Sequence, residues 1–326
     1  MTARSLSAAL ATGNTCVIKT PELTPLSNAW FAHAAEAVGL PKGAVNILCG
    51  LGHEVGAALS AHPHVNQIVF TGSVPTGIAI ATAAAQNVVP CVLELGGKSA
   101  AIVHDDADLA AFENDVRWGI YFNAGQVCSA MSRVIVHDSV HDELVDRMVG
   151  VAQSLTVKPG VEQPEFGPTM GAMVSEGQRD RAAQMVSDAE GQGATVATGG
   201  RKMNIPGAFL EPTILTNVTP DMTIANEEVF GPVLSVLKFS TDDEAVNIAN
   251  GTPYGLVGGV FTSNLDRATR AARQLRAGQV FVNEWYAGGV ETPFGGYGKS
   301  GYGREKGREA LWNYVQTKNV AIRLKG

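Results

Sequence analysis

The sequence predicts an α/β protein built on parallel sheets, and three observations predict it. Over residues 1–97, short apolar runs alternate with helical patterns in the order strand, helix, strand. That rhythm implies parallel strands joined by crossover helices that cover both faces. From Ser99 the same alternation resumes, with longer irregular loops between its elements. The composition is that of a folded chain: 326 residues, 45% apolar and 17% charged, with 37 glycines for tight turns. Such a length suffices for one large domain or two ordinary ones.

The elements follow in order. A first helix runs through Leu10 and stops near Gly13, and residues 15–19 read as a strand. Thr24-Pro25 opens a helix, since proline is tolerated where a first-turn N–H lacks a partner, and Gly39 ends it. Residues 44–48 form the next strand, 55–60 lie in a helix, 67–71 form a strand, 76–86 a helix and 91–95 a strand. In the second half, 100–103, 134–137, 233–239 and 279–282 read as strands. Helices are expected over 109–120, 141–154, 176–190, 242–250 and 266–275. Residues 158–171 are rich in proline and glycine and read as a loop. The glycine-rich run 294–303 is either a crossing point of backbones or a flexible linker. Residues 314–324 alternate enough to be a strand, and a strand left over at a terminus is a candidate for pairing with another subunit.

Parallel sheets bind ligands at the carboxyl ends of their strands. Lys19 and Glu22 follow the first strand, where they could hold a ribose by its hydroxyls or stand as two solvated charges at a turn. Gly72-Ser73 follows the third, ahead of a helix. Glycine permits close approach, serine offers a hydroxyl, and the helix N-terminus supplies unpaired N–H groups, a combination that suits a phosphate. It lacks the G-x-G-x-x-G spacing, so a plain strand-to-helix turn is the alternative. Glu94 ends the fourth strand beside Gly96-Gly97, and Cys128 follows Gly125-Gln126-Val127 at the end of a helical run. A lone carboxylate and a lone thiol, each beside glycine, suggest a base and a nucleophile. A cysteine beside valine is also, more often, a small buried hydrophobe.

The bulk properties exclude other classes. A net charge of −7 argues against a nucleic-acid surface, which needs a basic stripe. No apolar run spans a bilayer and no signal peptide opens the chain, so no membrane partner is expected. Cys16, Cys49, Cys91 and Cys128 show no C-x-x-C spacing, which argues against a metal site and for a reduced, cytoplasmic protein.

The ordered motifs resemble the NAD(P)-dependent aldehyde dehydrogenase superfamily. They are Gly13-Asn14-Thr15-Cys16-Val17-Ile18-Lys19 with Glu22, Phe70-Thr71-Gly72-Ser73, Glu94-Leu95-Gly96-Gly97-Lys98 and Gly125-Gln126-Val127-Cys128. Glu227-Glu228-Val229-Phe230-Gly231-Pro232, Asn250-Gly251-Thr252-Pro253-Tyr254-Gly255-Leu256 and the glycine-rich run complete them. The resemblance implies an incomplete Rossmann-like NAD-binding domain over 1–97 and an α/β catalytic domain over 98–296. A return segment over 297–313 and an oligomerisation tail over 314–326 follow, with a homodimer or homotetramer as the assembly. It implies Cys128 as nucleophile and Glu94 as general base. It places Lys19 and Glu22 on the adenosine ribose, Gly72 and Ser73 on the pyrophosphate, and Leu95, Glu228 and Phe230 around the nicotinamide ribose and ring. A carboxylate on the ribose favours NAD over NADP. Phe122, Trp285, Tyr286 and Phe294 are expected either to line an aldehyde tunnel or to be ordinary core aromatics.

The implied reaction oxidises an aldehyde to its acid through a cysteine thiohemiacetal and thioester. A thiol with a pKa near 8.5 is only a few per cent ionised at neutral pH, so the site must favour thiolate. The family carries a segment upstream that supplies an Asn oxyanion donor and a central strand. Neither has a match here. The backbone N–H of Cys128 is then the expected oxyanion donor, and strands 15–19 and 67–71 either close the gap or leave the domain incomplete. Two other functions compete: a CoA-acylating semialdehyde dehydrogenase, against which Glu94 argues, and a catalytically silent fragment acting as an interaction protein.

Overall fold

The computed structural model describes residues 1–162 and 169–324. The chain divides into two compact units. One comprises Met1–Glu94, Gly288–Phe294 and the residues from Gly303 onward; the other comprises Leu95–Ala287 and Gly295–Tyr302.

The second unit is built on a seven-stranded sheet. Its order is Gln279–Val282, Val257–Phe261, Ala100–Val103, Arg133–His137, Val233–Phe239, Thr213–Thr216 and Thr195–Thr198. Every ladder is parallel except that between Thr213–Thr216 and Thr195–Thr198. Nearly every residue of Ala100–Val103, Arg133–His137 and Val233–Phe239 is buried, which is why these strands read as apolar runs rather than alternating ones. Side chains start the helices. Asp108 accepts the N–H groups of Ala110 and Ala111 ahead of Leu109–Ile120. Ser175 caps Glu176–Gly191, Thr241 caps Asp242–Ala249 and Asn264 caps Leu265–Gln274. These elements fall within a residue or two of their expected bounds.

Strands Thr195–Thr198, Thr213–Thr216 and Val257–Phe261 were not among the expectations. The last is central, and its Gly258-Gly259 pair hides it, because glycine weakens a strand pattern. The pair has a packing reason: a Cβ on Gly259 would stand 2.7 Å from the Trp285 ring.

Arg133 opens one of the central strands and is buried. Its guanidinium donates to the carbonyls of Lys98 (3.0 Å), Ile248 (2.9 Å) and Ala249 (2.8 Å). Burial lowers its pKa to about 10, which leaves it charged at neutral pH. Arg133→Met would strand these acceptors, each worth about 1–3 kcal/mol when left unpaired. A loss of about 3 kcal/mol or more is expected in urea unfolding; a loss below about 1 kcal/mol would show the clasp to be dispensable.

In the first unit, Cys16–Lys19 pairs in parallel with Val45–Leu48, and Ile68–Thr71 with Cys91–Glu94. Among the described residues no ladder joins the two pairs, so strands 15–19 and 67–71 do not close the gap. Helix Leu26–Ala37 has no buried residue, and Leu26 and Trp30 are exposed.

The expected terminal strand is corrected. Glu309–Tyr314 is a short 3-10 helix, and residues 315–324 have no regular structure. The alternating Val320, Ile322 and Leu324 are exposed, and a strand needs a neighbour to bond to. Of the loop-rich segment expected at 158–171, residues 163–168 lie outside the described residues. Among the described residues no helix is long and apolar enough to cross a membrane.

Candidate active site

The Cys128 loop of the second unit begins where helix Leu109–Ile120 ends. Asn123 (φ 52°), Ala124 (φ 53°) and Gly125 (φ 71°) are three successive left-handed residues. Two of them carry side chains, and such backbone is strained unless its surroundings fix it. The fixing is visible. Asn123 Nδ2 donates to the Gln126 carbonyl (3.1 Å), and Gln126 Nε2 donates back to the Asn123 carbonyl (3.0 Å). Gln126 Oε1 accepts the Val174 N–H at 2.8 Å. At Gly125 a Cβ would stand 2.1 Å from the Gly231 carbonyl oxygen, so both conformation and space demand glycine. The half-buried Cys128 follows, two residues beyond Gln126. Past it, the Met131 N–H returns to the Gly119 carbonyl at 2.8 Å.

The Leu95–Gly97 stretch lies against this loop. A Cβ on Gly97 would come 2.5 Å from the Cys128 carbonyl oxygen, and one on Gly96 would come 2.2 Å from Glu228 Oε2. The Gly97 N–H donates to Glu228 Oε1 at 3.0 Å. Burial raises the pKa of Glu228, opposed by that N–H and by the charges of Lys98 and Arg181. Phe230, two residues on, is itself left-handed at φ 53°. Leu95 is buried and its N–H donates to the Ser300 carbonyl at 3.0 Å.

Three of the expected tunnel aromatics belong to this unit. Trp285 is buried and braces the loop: its Nε1 donates to the Ser129 carbonyl (3.2 Å), and its backbone N–H to Asp115 (2.6 Å). Tyr286 is half-buried, and burial lifts its hydroxyl to about 12. Phe122 is exposed beside Trp118, ring centroids 6.2 Å apart.

In the first unit, Glu94 ends its strand as a buried carboxyl whose two oxygens have no hydrogen-bond partner among the described residues. Burial first, and then Glu305, push its pKa up to about 8, against the pull of Arg4 and Arg304. Glu305 is held by Arg4 at 2.8 Å and by the Ser5 hydroxyl. Phe294 also belongs here, with the Arg4 guanidinium carbon 4.6 Å from its ring centre.

Lys19 and Glu22 pair at 3.5 Å, and the Gly52 N–H donates to the same Glu22 oxygen. That N–H is the main cause of a lowered Glu22 pKa. Ser73 caps helix Val74–Ala85: its hydroxyl lies 2.9 Å from the Thr76 hydroxyl and accepts the Thr76 N–H at 3.4 Å. At Gly72 a Cβ would meet the Phe70 ring at 2.4 Å. Within the first unit, a carboxylate beside a lysine is a donor set that suits ribose hydroxyls, and a capped helix N-terminus one that suits phosphate. Within the second, the half-buried Glu228 carboxylate seated on a glycine N–H is a donor set that suits hydroxyls.

Sequence reasoning missed three residues that build the site. Lys98 and Arg133 are buried basic residues, Lys98 directly after the glycine pair and Arg133 bonded to its carbonyl. Buried Ser300 donates to the Gly96 carbonyl (2.7 Å) and accepts the Gly255 N–H (3.0 Å). The available signal was a charge set at the head of an apolar strand or straight after two glycines.

The fold and these motifs define an aldehyde dehydrogenase architecture. A single-site mutant of aldehyde dehydrogenase from Bacillus cereus superposes with a TM-score of 0.96 at 41% identity, covering 100% of this chain and 66% of that one. A point mutant of Staphylococcus aureus betaine aldehyde dehydrogenase in complex with NAD+ gives 0.92 at 39% identity, covering 96% of this chain and 64% of that one. The peroxisomal aminoaldehyde dehydrogenase 1 of Pisum sativum is 44% identical over 317 residues, 97% of this chain and 62% of its own length. The Aldehyde dehydrogenase family model matches residues 1–320, and the chain belongs to that family. It spans somewhat under two thirds of the length of the first curated relatives it matches.

Proposed function

We propose that this chain oxidises an aldehyde to a carboxylic acid with NAD, by a hydrolytic route through Cys128. The observation that carries the reading is the nucleophile loop. Its strained turn, its Gln126 anchor and the hydrogen-only fit at Gly97 fix the backbone on which Cys128 sits.

In this reading the Cys128 thiolate attacks the aldehyde carbon, and the Cys128 backbone N–H supports the oxyanion. NAD, when bound, accepts the hydride. Lys19 and Glu22 would hold its adenosine ribose, Gly72 and Ser73 its pyrophosphate, and Leu95, Glu228 and Phe230 its nicotinamide half. The acyl group remains on Cys128 as a thioester. Glu94 then takes a proton from water, and hydroxide releases the acid. Glu22 favours NAD over NADP, because a carboxylate repels a 2′-phosphate. Phe122, Tyr286 and Phe294 are assigned to the aldehyde path, with Trp285 bracing it. The tail over 314–326 is assigned to pairing in a homodimer or homotetramer, and the compartment to the cytoplasm.

Two other readings compete, one of them with support in the fold. The two unjoined strand pairs of the first unit favour a silent, cofactor-binding fragment. A CoA-acylating enzyme would not need Glu94. NADH formation by the purified chain decides among the three. The panel holds aliphatic, aromatic, amino- and betaine aldehydes, with NAD and NADP in parallel. Turnover with NAD, giving free acid, is expected. Capture of the acyl group by CoA in preference to water would establish the acylating reading. Cofactor binding with no turnover would establish the silent one.

A further inference from the structure

Two motifs have no part in the chemistry above: residues 250–256 and the glycine-rich run. In the second unit the two are bonded together. The Tyr297 N–H donates to the Gly255 carbonyl (2.8 Å), and the Lys299 N–H to the Pro253 carbonyl (2.9 Å). Ser300 follows and is completely buried. A Cβ on Gly296 would come 2.4 Å from the Ser300 Cβ, so the chain closes tightly around it. Ser300 Oγ accepts the Gly255 N–H at 3.0 Å. A serine hydroxyl has one proton to give, and here it goes to the Gly96 carbonyl at 2.7 Å. The Ser300 carbonyl accepts the Leu95 N–H at 3.0 Å. One buried residue thus holds the start of the glycine pair at two points.

The Gly96 carbonyl and the Gly97 N–H belong to one peptide group. That group is planar, so fixing one end fixes the other. Its N–H donates to Glu228 Oε1 at 3.0 Å. Hydrogen bonds therefore run without a break from the Gly255 N–H, through the Ser300 hydroxyl and the Gly96–Gly97 peptide, to the Glu228 carboxylate. The glycines explain why an anchor is needed. Gly96 has no room for a Cβ beside Glu228, and Gly97 has none beside the Cys128 carbonyl. A peptide flanked by two glycines has the widest choice of orientations, and the serine removes that choice.

We propose that Ser300 is a positioning residue of the nicotinamide-ribose site: its hydroxyl sets the Gly96–Gly97 peptide so that the Gly97 N–H meets Glu228 and holds its carboxylate ready for ribose hydroxyls. The inference rests on the reading of Glu228 as a ribose ligand. It carries a signature at Glu228 itself. Burial raises the Glu228 pKa, and the Gly97 N–H is the first of the groups that oppose it. The charges facing Glu228, Lys98 and Arg181, are untouched by a change at Ser300. Freeing the peptide should therefore raise the Glu228 pKa further.

Two readouts test this, neither of them turnover. The first is NADH affinity by fluorescence, for the chain, Ser300→Ala, Ser300→Cys, Glu228→Ala and Ser300→Ala with Glu228→Ala. Ser300→Ala should bind about tenfold more weakly, the worth of one hydrogen bond to a charged group. Ser300→Cys keeps the shape with a weaker donor and should fall between the two. Ser300→Ala added to Glu228→Ala should cost nothing further. The second is the carbon-13 titration of the Glu228 carboxyl without cofactor, which should move upward by about one unit in Ser300→Ala and by less in Ser300→Cys. A packing role alone would lower stability in urea, leave the titration unmoved and make the two affinity losses additive. That result overturns the inference and leaves the cofactor reading intact; where alanine prevents folding, Ser300→Cys decides. A parent chain that binds no NADH overturns the cofactor reading, and with it the ribose role.

Discussion

A Cys128→Ser chain forms no NADH from any aldehyde in the panel. Serine keeps the shape of the side chain but not its chemistry. Its hydroxyl is scarcely ionised near neutral pH, where a thiol is already a few per cent thiolate. The expected loss is at least about 10⁴-fold, the scale seen when a nucleophile is deleted. Unfolding and NADH affinity should stay at the parent values, because the loop is held by Asn123, Gln126 and Gly97 rather than by the reacting atom. Turnover above about 1% of the parent would remove Cys128 from the reaction.

Glu94→Gln leaves the first half of the reaction and stops the second. Steady-state turnover should fall by about 10²- to 10⁴-fold, the usual contribution of a positioned base. A burst of NADH close to one per Cys128 should survive, and intact mass should show the acyl group held on the protein. A burst lost together with the steady state would place Glu94 before hydride transfer instead. The parent rate should climb with pH through about 8, as Glu94 becomes the carboxylate, and the variant should lack that limb. Stability runs the other way. The folded carboxyl titrates near 8 and an ordinary glutamate near 4.5, so the folded chain holds a proton that the unfolded chain releases between those values. Its stabilising share is complete below 4.5 and is lost as pH rises through 8, a slope that glutamine removes.

What the sequence showed and what it hid divides along physical lines. Strand Val233–Phe239 and helix Leu109–Ile120 were legible because a long apolar run and a capped, amphipathic run are local signals. Val257–Phe261 was hidden by glycines whose purpose is to admit the Trp285 ring, a contact no local pattern encodes. The candidate site was legible as motifs around Glu94, Cys128 and Glu228. The groups that build it were not, because their partners are remote. Arg133 reaches 35 residues back to Lys98 and 116 forward to Ala249, and Ser300 reaches 204 back to Gly96. The tail misled for the converse reason. Alternation from Tyr314 is a local signal, but a ladder belongs to two strands, and among the described residues no second strand meets it.

The split of the first unit's strands into two unjoined pairs has a calorimetric consequence. Heat capacity on unfolding tracks the apolar surface that water gains. The seven-stranded sheet, with its buried strands, supplies most of that increment. A helix such as Leu26–Ala37, already facing solvent, adds little. A calorimetric scan is therefore expected to give an enthalpy that reports mainly the unfolding of the seven-stranded sheet and its helices.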